Sequence, residues 1–320
     1  GDPRVGLMLD GKRVAVVVPA YDEERLVAGT LRGIPDFVDR VFVVDDGSRD
    51  GTAAAAEGVG DPRVVILRHE RNAGVGTAIA TGYRHARDEA IDVTCVMAAD
   101  NQMDPGELRS LVEPVARGEV DYAKANRLVS GEAWKVIPRT RYLGNAVLSL
   151  LTKIASGYWH VADSQAGYTA VSLEALRGLD LDALYPRYGF PNDMLVHLNV
   201  QNARVRDVPS RPIYDVGEQS GIRLRSVVPR ISWLLLKGFW WRMGQKYVIR
   251  DFHPLVFFYV FGLVMLAAGF VLGLVELVLR LAGNAITPAS IVLVAVLLIA
   301  GLQMTLFAMW FDMEANKELR

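Results

Sequence analysis

Three apolar runs in this chain end in carboxylates: VVVPAYDEE, VFVVDDGSRDGT and VTCVMAADNQMDP. A buried strand that stops on two adjacent aspartates, Asp45 and Asp46, sets negative charge at the edge of a core, where desolvation is costly unless hydrogen bonds or a cation meet it. One account is local: an acidic loop that opens the next helix, with Ser48 or Asp50 as N-cap. The other is chemical. Tyr21 and Glu23 after the first run, Asp45 and Asp46 after the second, and Asp100 with Gln102 after the third are groups able to hold a nucleotide and a hard divalent cation.

The elements that carry these residues alternate. From residue 13 to about 171 the chain reads RVAVVVPA, a helix near 24–32, VFVVDD, a helix over TAAAAEG, VVILRH, the helical GTAIATGYRHARDEA, VTCVMAAD, and a helix opening at Asp104 and Pro105. Short β-rich runs separated by helices predict a largely parallel sheet with helices on both faces, a Rossmann-like α/β fold. Ligands of such sheets bind beyond the carboxyl ends of the strands, so the three acidic loops fall on one rim. No G-x-G-x-x-G follows the first strand and no G-x-x-x-x-G-K-[ST] occurs, which argues against a dehydrogenase or a P-loop NTPase. The glycines of NAGVGTAIATG suit a helix start that could face phosphate. No Ser-His-Asp order stands out among the five histidines.

Composition adds a membrane. A hydrophobic content of 51% and a mean hydropathy of +0.21 exceed those of an average soluble protein. Residues 255–279 carry one charge, Glu276, and residues 291–311 carry none, and each stretch can cross a hydrocarbon core of about 30 Å. They predict a transmembrane hairpin. The net charge of −1 hides a basic collar, because residues 221–250 hold Arg223, Arg225, Arg230, Lys237, Arg242, Lys246 and Arg250 with no Asp or Glu. Trp233, Trp240, Trp241 and Tyr247 interleave with these cations, as in amphipathic helices lying in the headgroup layer. A nucleic-acid patch is the competing account, and adjacency to a span favours lipid over nucleic acid. Basic residues precede the first span while the connecting loop has only Arg280, so both ends and the catalytic domain are expected on the cytoplasmic face. Residues 1–12 lack the apolar core of a signal peptide, in keeping with that side. The single cysteine, Cys95, lies in an apolar run and reads as core. The expected division is a catalytic domain over 1–220, a juxtamembrane segment over 221–252 and the hairpin over 253–320.

At this point VVVPAYDEE resembles the opening V-x-P-x-Y-N-E-E of glycosyltransferase family 2. VVDDGSRDGT resembles that family's D-D-G-S-x-D-x-T, and MAADNQMDP its metal-binding D-x-D-x-Q-x-x-P. Within the family the chain is similar to polyprenyl-phosphate (dolichyl-phosphate-type) sugar synthases, over residues 13 to about 223, and the hairpin matches the anchor many members carry. The resemblance implies a GT-A fold. It implies that Pro19, Tyr21, Glu23 and Asp45 hold the donor's base and ribose with Asp46 nearby, that Asp100 and Gln102 bind Mg2+ or Mn2+ on the diphosphate, and that Ser220 and Arg223 in EQSGIR lie in a loop over the donor. Where many members have a second metal-facing aspartate this chain has Ala98. Fewer protein carboxylates then remain, which magnesium tolerates by keeping waters and substrate phosphates.

The same resemblance assigns KANRLVSGE and VIPRTRYLGN to the acceptor, with Arg127, Arg139 and Arg141 for a lipid phosphate. A phosphate monoester is mostly dianionic near neutrality, so it needs no strong base; Asp163 and Asp193 are the candidates if one acts. The implied reaction is inverting, metal-dependent transfer of one hexose or N-acetylhexosamine from a nucleotide diphosphate sugar to a polyprenyl phosphate, as in protein glycosylation or cell-envelope assembly. UDP-sugars are favoured, because DNQMDP and YPRYGFPNDMLV look more like N-acetylglucosamine or glucose members than mannose enzymes, and GDP-mannose stays open. A homo-oligomer stays open too. A processive polysaccharide synthase fits less well, since no Q-x-x-R-W follows and two spans are few for a polymer channel. The third alternative is a membrane-anchored sugar-nucleotide binding or scaffold protein.

Overall fold

The structure, a computed structural model, describes residues 9–128, 139–211 and 224–320, with side chains over 9–128, 146–211 and 227–320. It divides into two compact units, Gly1–Phe239 with Glu318–Arg320, and Trp240–Lys317.

The first unit is built on a seven-stranded sheet in the order β3-β2-β1-β4-β6-β5-β7. Strand β1 (Val14–Ala20) pairs in parallel with β2 (Arg40–Asp45) on one side and β4 (Val93–Val96) on the other, and β2 pairs in parallel with β3 (Val64–Arg68). These four are the runs legible in the sequence. Strand β6 (Thr169–Ser172) lies antiparallel to both β4 and β5 (Tyr122–Asn126), and β5 pairs in parallel with β7 (Val205–Pro209). One strand therefore opposes the other six, and the carboxyl end of β5 shares a rim with those of β1, β2 and β4.

Every residue of β1 is buried, which is why it reads as an unbroken apolar run. Its alternate residues serve two cores. Val14, Val16 and Val18 pack with α1 (Val27–Gly33), α2 (Thr52–Glu57) and α4 (Leu108–Ala116), while Ala15 and Val17 pack with α3 (Val75–Asp88), α6 (Leu173–Gly178) and α7 (Phe190–Val200). Each such valine contributes about 1.5–3 kcal/mol by leaving water. Helices thus cover both faces, as the pattern predicts. The helix expected to open at Asp104 and Pro105 begins as a 3-10 turn, Pro105–Glu107, that runs into α4, with the Asp104 carboxylate as N-cap accepting from the Gly106 N–H at 2.8 Å. Helix α5 (Arg139–Ser156) follows, and Glu318–Arg320 return to this unit, where the Leu319 carbonyl accepts from the Val205 N–H of the edge strand β7.

Helix α8 (Leu224–Gly244) ends in a π-helical turn, Gln245–Arg250. Two helices of membrane length follow, α9 (Leu255–Leu281) and α10 (Pro288–Ala315), which contain the expected spans; α9 extends its span at the carboxyl end and α10 at both ends. In the second unit the collar is not uniformly a surface feature. Arg242 is fully buried and grips Asp312 with both guanidinium ends at 2.8 and 2.9 Å, and Lys246 donates to Asn316 at 2.7 Å. Trp241 and Arg250 remain exposed. Lys246 and Tyr247, both buried, lie in the π-helical turn, and Arg242 lies in the last turn of α8 before it.

Candidate active site

The rim beyond β2, β1 and β4 is where the three acidic motifs meet. Ala20 pairs with Asp45 across β1 and β2, and the Asp46 N–H donates to the Ala20 carbonyl at 2.9 Å. Reciprocal bonds then lace the two loops. Asp22 N–H donates to Ser48 Oγ at 3.0 Å and Arg49 N–H to the Asp22 carboxylate at 2.8 Å, while Glu23 N–H donates to Thr52 Oγ1 at 2.8 Å. Glu24 N–H donates to Asp50 and Gly51 N–H to Glu24, each at 3.2 Å. The N-cap of α2 is Gly51, so neither Ser48 nor Asp50 takes the expected capping position: Asp50 accepts from the Thr52 N–H beside the helix start, and Ser48 serves the neighbouring loop. Although burial opposes it, the bonds from Thr52 and Glu24 hold Asp50 below its ordinary pKa.

The two aspartates of the opening motif have different duties. Asp45 is buried, accepts from Ser48 N–H at 2.9 Å, and pairs with the exposed Arg68 at 3.4 Å. Asp46 is turned toward its own fold: its oxygens accept from Ala73 N–H at 3.0 Å, Gly74 N–H at 2.7 Å and His69 Nδ1 at 2.7 Å, and His69 Nε2 meets Thr81 Oγ1. Asp46 shapes the loop before α3. Gly47, at φ +74°, passes so close to that loop that a Cβ would lie 2.7 Å from the Arg71 carbonyl carbon.

The glycine-rich start of α3 does not face the rim as a phosphate cradle. The Pro186 carbonyl accepts from Gly76 N–H at 2.9 Å and Thr77 N–H at 3.2 Å, and a Cβ on Gly76 would sit 2.3 Å from the Tyr185 carbonyl oxygen. Glycine is needed there so that a backbone segment can seat on the helix N-terminus. The same segment reaches Asp193, whose carboxylate accepts from Tyr185 N–H at 2.8 Å with His197 at 3.7 Å. Burial holds Asp193 above its ordinary pKa. Asp46 and Asp193 are thus joined through Gly74, Gly76 and the Tyr185-Pro186 segment.

Beyond β4, Asp100 accepts from Gln102 N–H at 3.1 Å, and burial holds its pKa above the usual carboxylate range. Asn101 between them adopts φ 58°, which asparagine tolerates, and its side chain is held by Thr30 at 2.6 Å. Ala98 donates its N–H to Met103 Sδ. Among the described residues no group of three His, Cys, Asp or Glu side chains could hold a metal. An ion there would draw on Asp100, Gln102, water and substrate oxygens, a donor set that suits magnesium or manganese. Burial that disfavours a lone anion favours the same anion beside a cation, so Asp100 fits the group.

At the end of β5, Arg127 forks onto Asp163, Nε to Oδ2 at 2.8 Å and Nη2 to Oδ1 at 3.2 Å. Burial raises the Asp163 carboxyl, but the bonds and charge of Arg127, with Lys124 behind them, hold it below its ordinary value. Pro19 sits in β1 opposite Val44, Tyr21 is exposed just past the strand, and Glu23 lies in the laced loop. Arg139 and Arg141 open α5, with their side chains outside the described residues, and Ser220 and Arg223 lie outside them altogether. The sequence reading missed Arg68, His69 and Lys124; a lysine inside the strand YAKAN was the one visible signal.

Comparison with known proteins bears on the family and the fold. The chain is 28% identical over 218 residues, 63% of its length and 86% of the relative's, to UDP-N-acetylglucosamine–dolichyl-phosphate N-acetylglucosaminyltransferase of Methanococcus voltae. It is 33% identical over 202 residues, 62% of its length and 82% of the relative's, to undecaprenyl-phosphate mannosyltransferase of Micrococcus luteus. Its fold is similar to the crystal structure of glucosyl-3-phosphoglycerate synthase from Mycobacterium tuberculosis in complex with Mn2+, uridine-diphosphate and glucosyl-3-phosphoglycerate. That match has a TM-score of 0.57 and 20% identity, covering 76% of this chain and 85% of that one. The family description "Glycosyl transferase family 2" matches residues 15–179, from β1 past α6 and so across the laced loops, Asp100 and the Arg127–Asp163 fork, and the chain belongs to that family.

Proposed function

We propose that the chain transfers one hexose or N-acetylhexosamine, with inversion, from a nucleotide diphosphate sugar to a polyprenyl phosphate at the cytoplasmic face of a membrane. The observation that carries this is the β2-β1-β4 order, which sets Asp45, the Tyr21–Glu23 loop and Asp100 on neighbouring strand ends of one chain that also has two helices of membrane length. Relatives named for dolichyl- and undecaprenyl-phosphate substrates support the acceptor class. A UDP-sugar is the favoured donor, supported by the name of the Methanococcus relative, with GDP-mannose as the alternative that the Micrococcus name keeps in view.

Pro19, Tyr21, Glu23 and Asp45 are assigned to the nucleoside. Asp46 acts at one remove, through the loop it shapes. When bound, Mg2+ or Mn2+ would neutralise charge on the leaving diphosphate, with Asp100 and Gln102 as the residues that would hold it. Arg127, its guanidinium plane set by Asp163, is assigned to the acceptor phosphate with Arg139 and Arg141. Asp163 stays ionised as the partner of Arg127, which makes it an orienting group rather than a base. The cytoplasmic assignment rests on the basic collar before the first span.

The test is transfer from UDP-N-acetylglucosamine, UDP-glucose and GDP-mannose to a short-chain polyprenyl phosphate, followed by nucleotide release and lipid mass. One sugar per lipid and loss of turnover in EDTA are expected. Turnover indifferent to EDTA removes the metal from the proposal, and repeated addition would make the enzyme a polymerase. In the same assay Arg127→Ala is expected to lower kcat/KM for the lipid phosphate about ten- to a hundredfold, the scale of a charge-assisted hydrogen bond, with UDP affinity unchanged. Equal weakening of UDP binding would move Arg127 to the donor side.

A further inference from the structure

Lys124 stands in the middle of β5, paired with Thr169 of β6 and with Asp207 of β7, and its side chain is fully buried. A lysine with no exposure is rare, because removing an ammonium from water is costly unless partners compensate. Its Nζ donates to the Ala166 carbonyl at 2.8 Å. Ala166 closes the turn that begins at Asp163: the Ala166 N–H reaches the Asp163 carbonyl at 3.5 Å, and Gln165 N–H donates to the Asp163 carboxylate at 3.3 Å. The other side of that turn is tied down as well. Asp207 accepts from Ala162 N–H and from Asn126 Nδ2, both at 2.8 Å. Its second oxygen is buried with no hydrogen-bond partner among the described residues, and the Lys124 charge attracts the carboxylate through space.

We propose that Lys124 is a positioning residue: by holding the Asp163–Ala166 turn between β5 and β7 it fixes the Asp163 carboxylate, and through it the plane of the Arg127 guanidinium, for an acceptor phosphate. This rests on the assignment of Arg127 to the acceptor. A residue that only filled the core would serve as well with a methionine. The charge matters because Lys124 lies in the field of two carboxylates, Asp163 and Asp207, with Arg127 on the far side of Asp163 and His160 near Asp207.

Burial lowers Lys124 to about 8, with Asp163 and Asp207 pulling it up and Arg127 pushing it down. The sign of the linkage separates function from folding. Its folded pKa lies below the model-compound value of 10.5, so the unfolded chain binds more protons between those values and this group adds stability as pH rises through them. Weaker acceptor binding in that window is therefore not unfolding by this residue.

The experiment uses the full chain, farnesyl phosphate as acceptor and the donor found active in the screen above, with UDP binding followed by calorimetry. For Lys124→Met the acceptor KM is expected to rise about tenfold with kcat less affected and UDP affinity within about twofold of wild type. The wild-type acceptor KM should climb above about pH 8, and that of Lys124→Met should not. Arg127→Ala is run beside it. If Arg127→Ala is impaired toward acceptor and Lys124→Met is not, the positioning role is overturned and the acceptor assignment stands. If Arg127→Ala keeps the wild-type acceptor KM, the acceptor assignment fails and takes this inference with it. Should Lys124→Met not fold, the wild-type profile decides: an acceptor KM flat from about pH 7 to 9.5 overturns the proposal.

Discussion

Asp100→Asn is expected to remove nearly all turnover, a loss on the order of a hundred- to a thousandfold, while leaving the protein folded and no less stable than wild type. The asparagine keeps an oxygen for the Gln102 N–H, so the local turn survives. It removes the charge. Burial holds the Asp100 pKa above its unfolded value, so the folded state binds more protons over that interval and stability falls as pH rises through it. At neutral pH the ionised carboxylate is therefore a cost to the fold, and neutralising it relieves that cost. A functional group held against stability is a familiar trade. Two measurements check this: Mg2+ with UDP should raise the melting temperature of wild type but not of Asp100→Asn, and the ligand-free variant should melt no lower than wild type. Wild-type turnover at saturating Mg2+ would remove Asp100 from the proposed chemistry.

The legible part of the sheet is its unbroken apolar strands, β1 to β4, of which β1, β2 and β4 are buried and the edge strand β3 is half-buried. Strands β1, β2 and β4 read as strands because every residue from Val14 to Ala20, and nearly every one in the other two, is withdrawn from water, leaving no polar alternation to confuse the period. The other half gave no such signal. YAKAN carries a lysine and an asparagine in a buried strand, TAVS is four residues long, and VRDVP is an edge strand with polar residues along it. The antiparallel turn taken by β6 depends on pairing with β4 and β5, and no local pattern encodes it.

The site divides the same way. Motif spacing placed Asp45, Asp46 and Asp100 at strand ends, because a strand that stops must deliver its next residues to the rim. It could not say what each carboxylate faces. Asp46 is satisfied by N–H groups 27 and 28 residues on, and the NAGVG helix start is met by a carbonyl more than a hundred residues away, at Pro186. Both are contacts of the folded chain, and both turn a group that looked available for ligand into one that holds the loop around it. Lys124 belongs with them, since its partners lie on β7 and in the turn before β6.

The basic collar shows the limit most plainly, and it sets the second large expectation. Arg242 looks like one of seven interfacial cations, yet it is fully buried against Asp312, which follows directly on the charge-free stretch 291–311. Tyr247 donates to Asp312 at 2.6 Å, and Asn316 Nδ2 reaches both the Tyr247 hydroxyl and the Asp312 carbonyl. A buried ion pair gains little over a well-packed apolar pair, because desolvation offsets the attraction; removing one partner leaves the other charge stranded. Asp312→Ala is therefore expected to destabilise the second unit by about 3–5 kcal/mol, and Arg242→Met with Asp312→Leu to recover most of that loss. Thermal unfolding in detergent, with limited proteolysis around residues 245–250 as a local probe, would read both. If Asp312→Ala costs less than about 1 kcal/mol, the pair behaves as a solvated surface bridge and the buried account is wrong. If the double variant is no better than the single one, the bonds from Tyr247 and Asn316, rather than the charge of Arg242, are what Asp312 contributes.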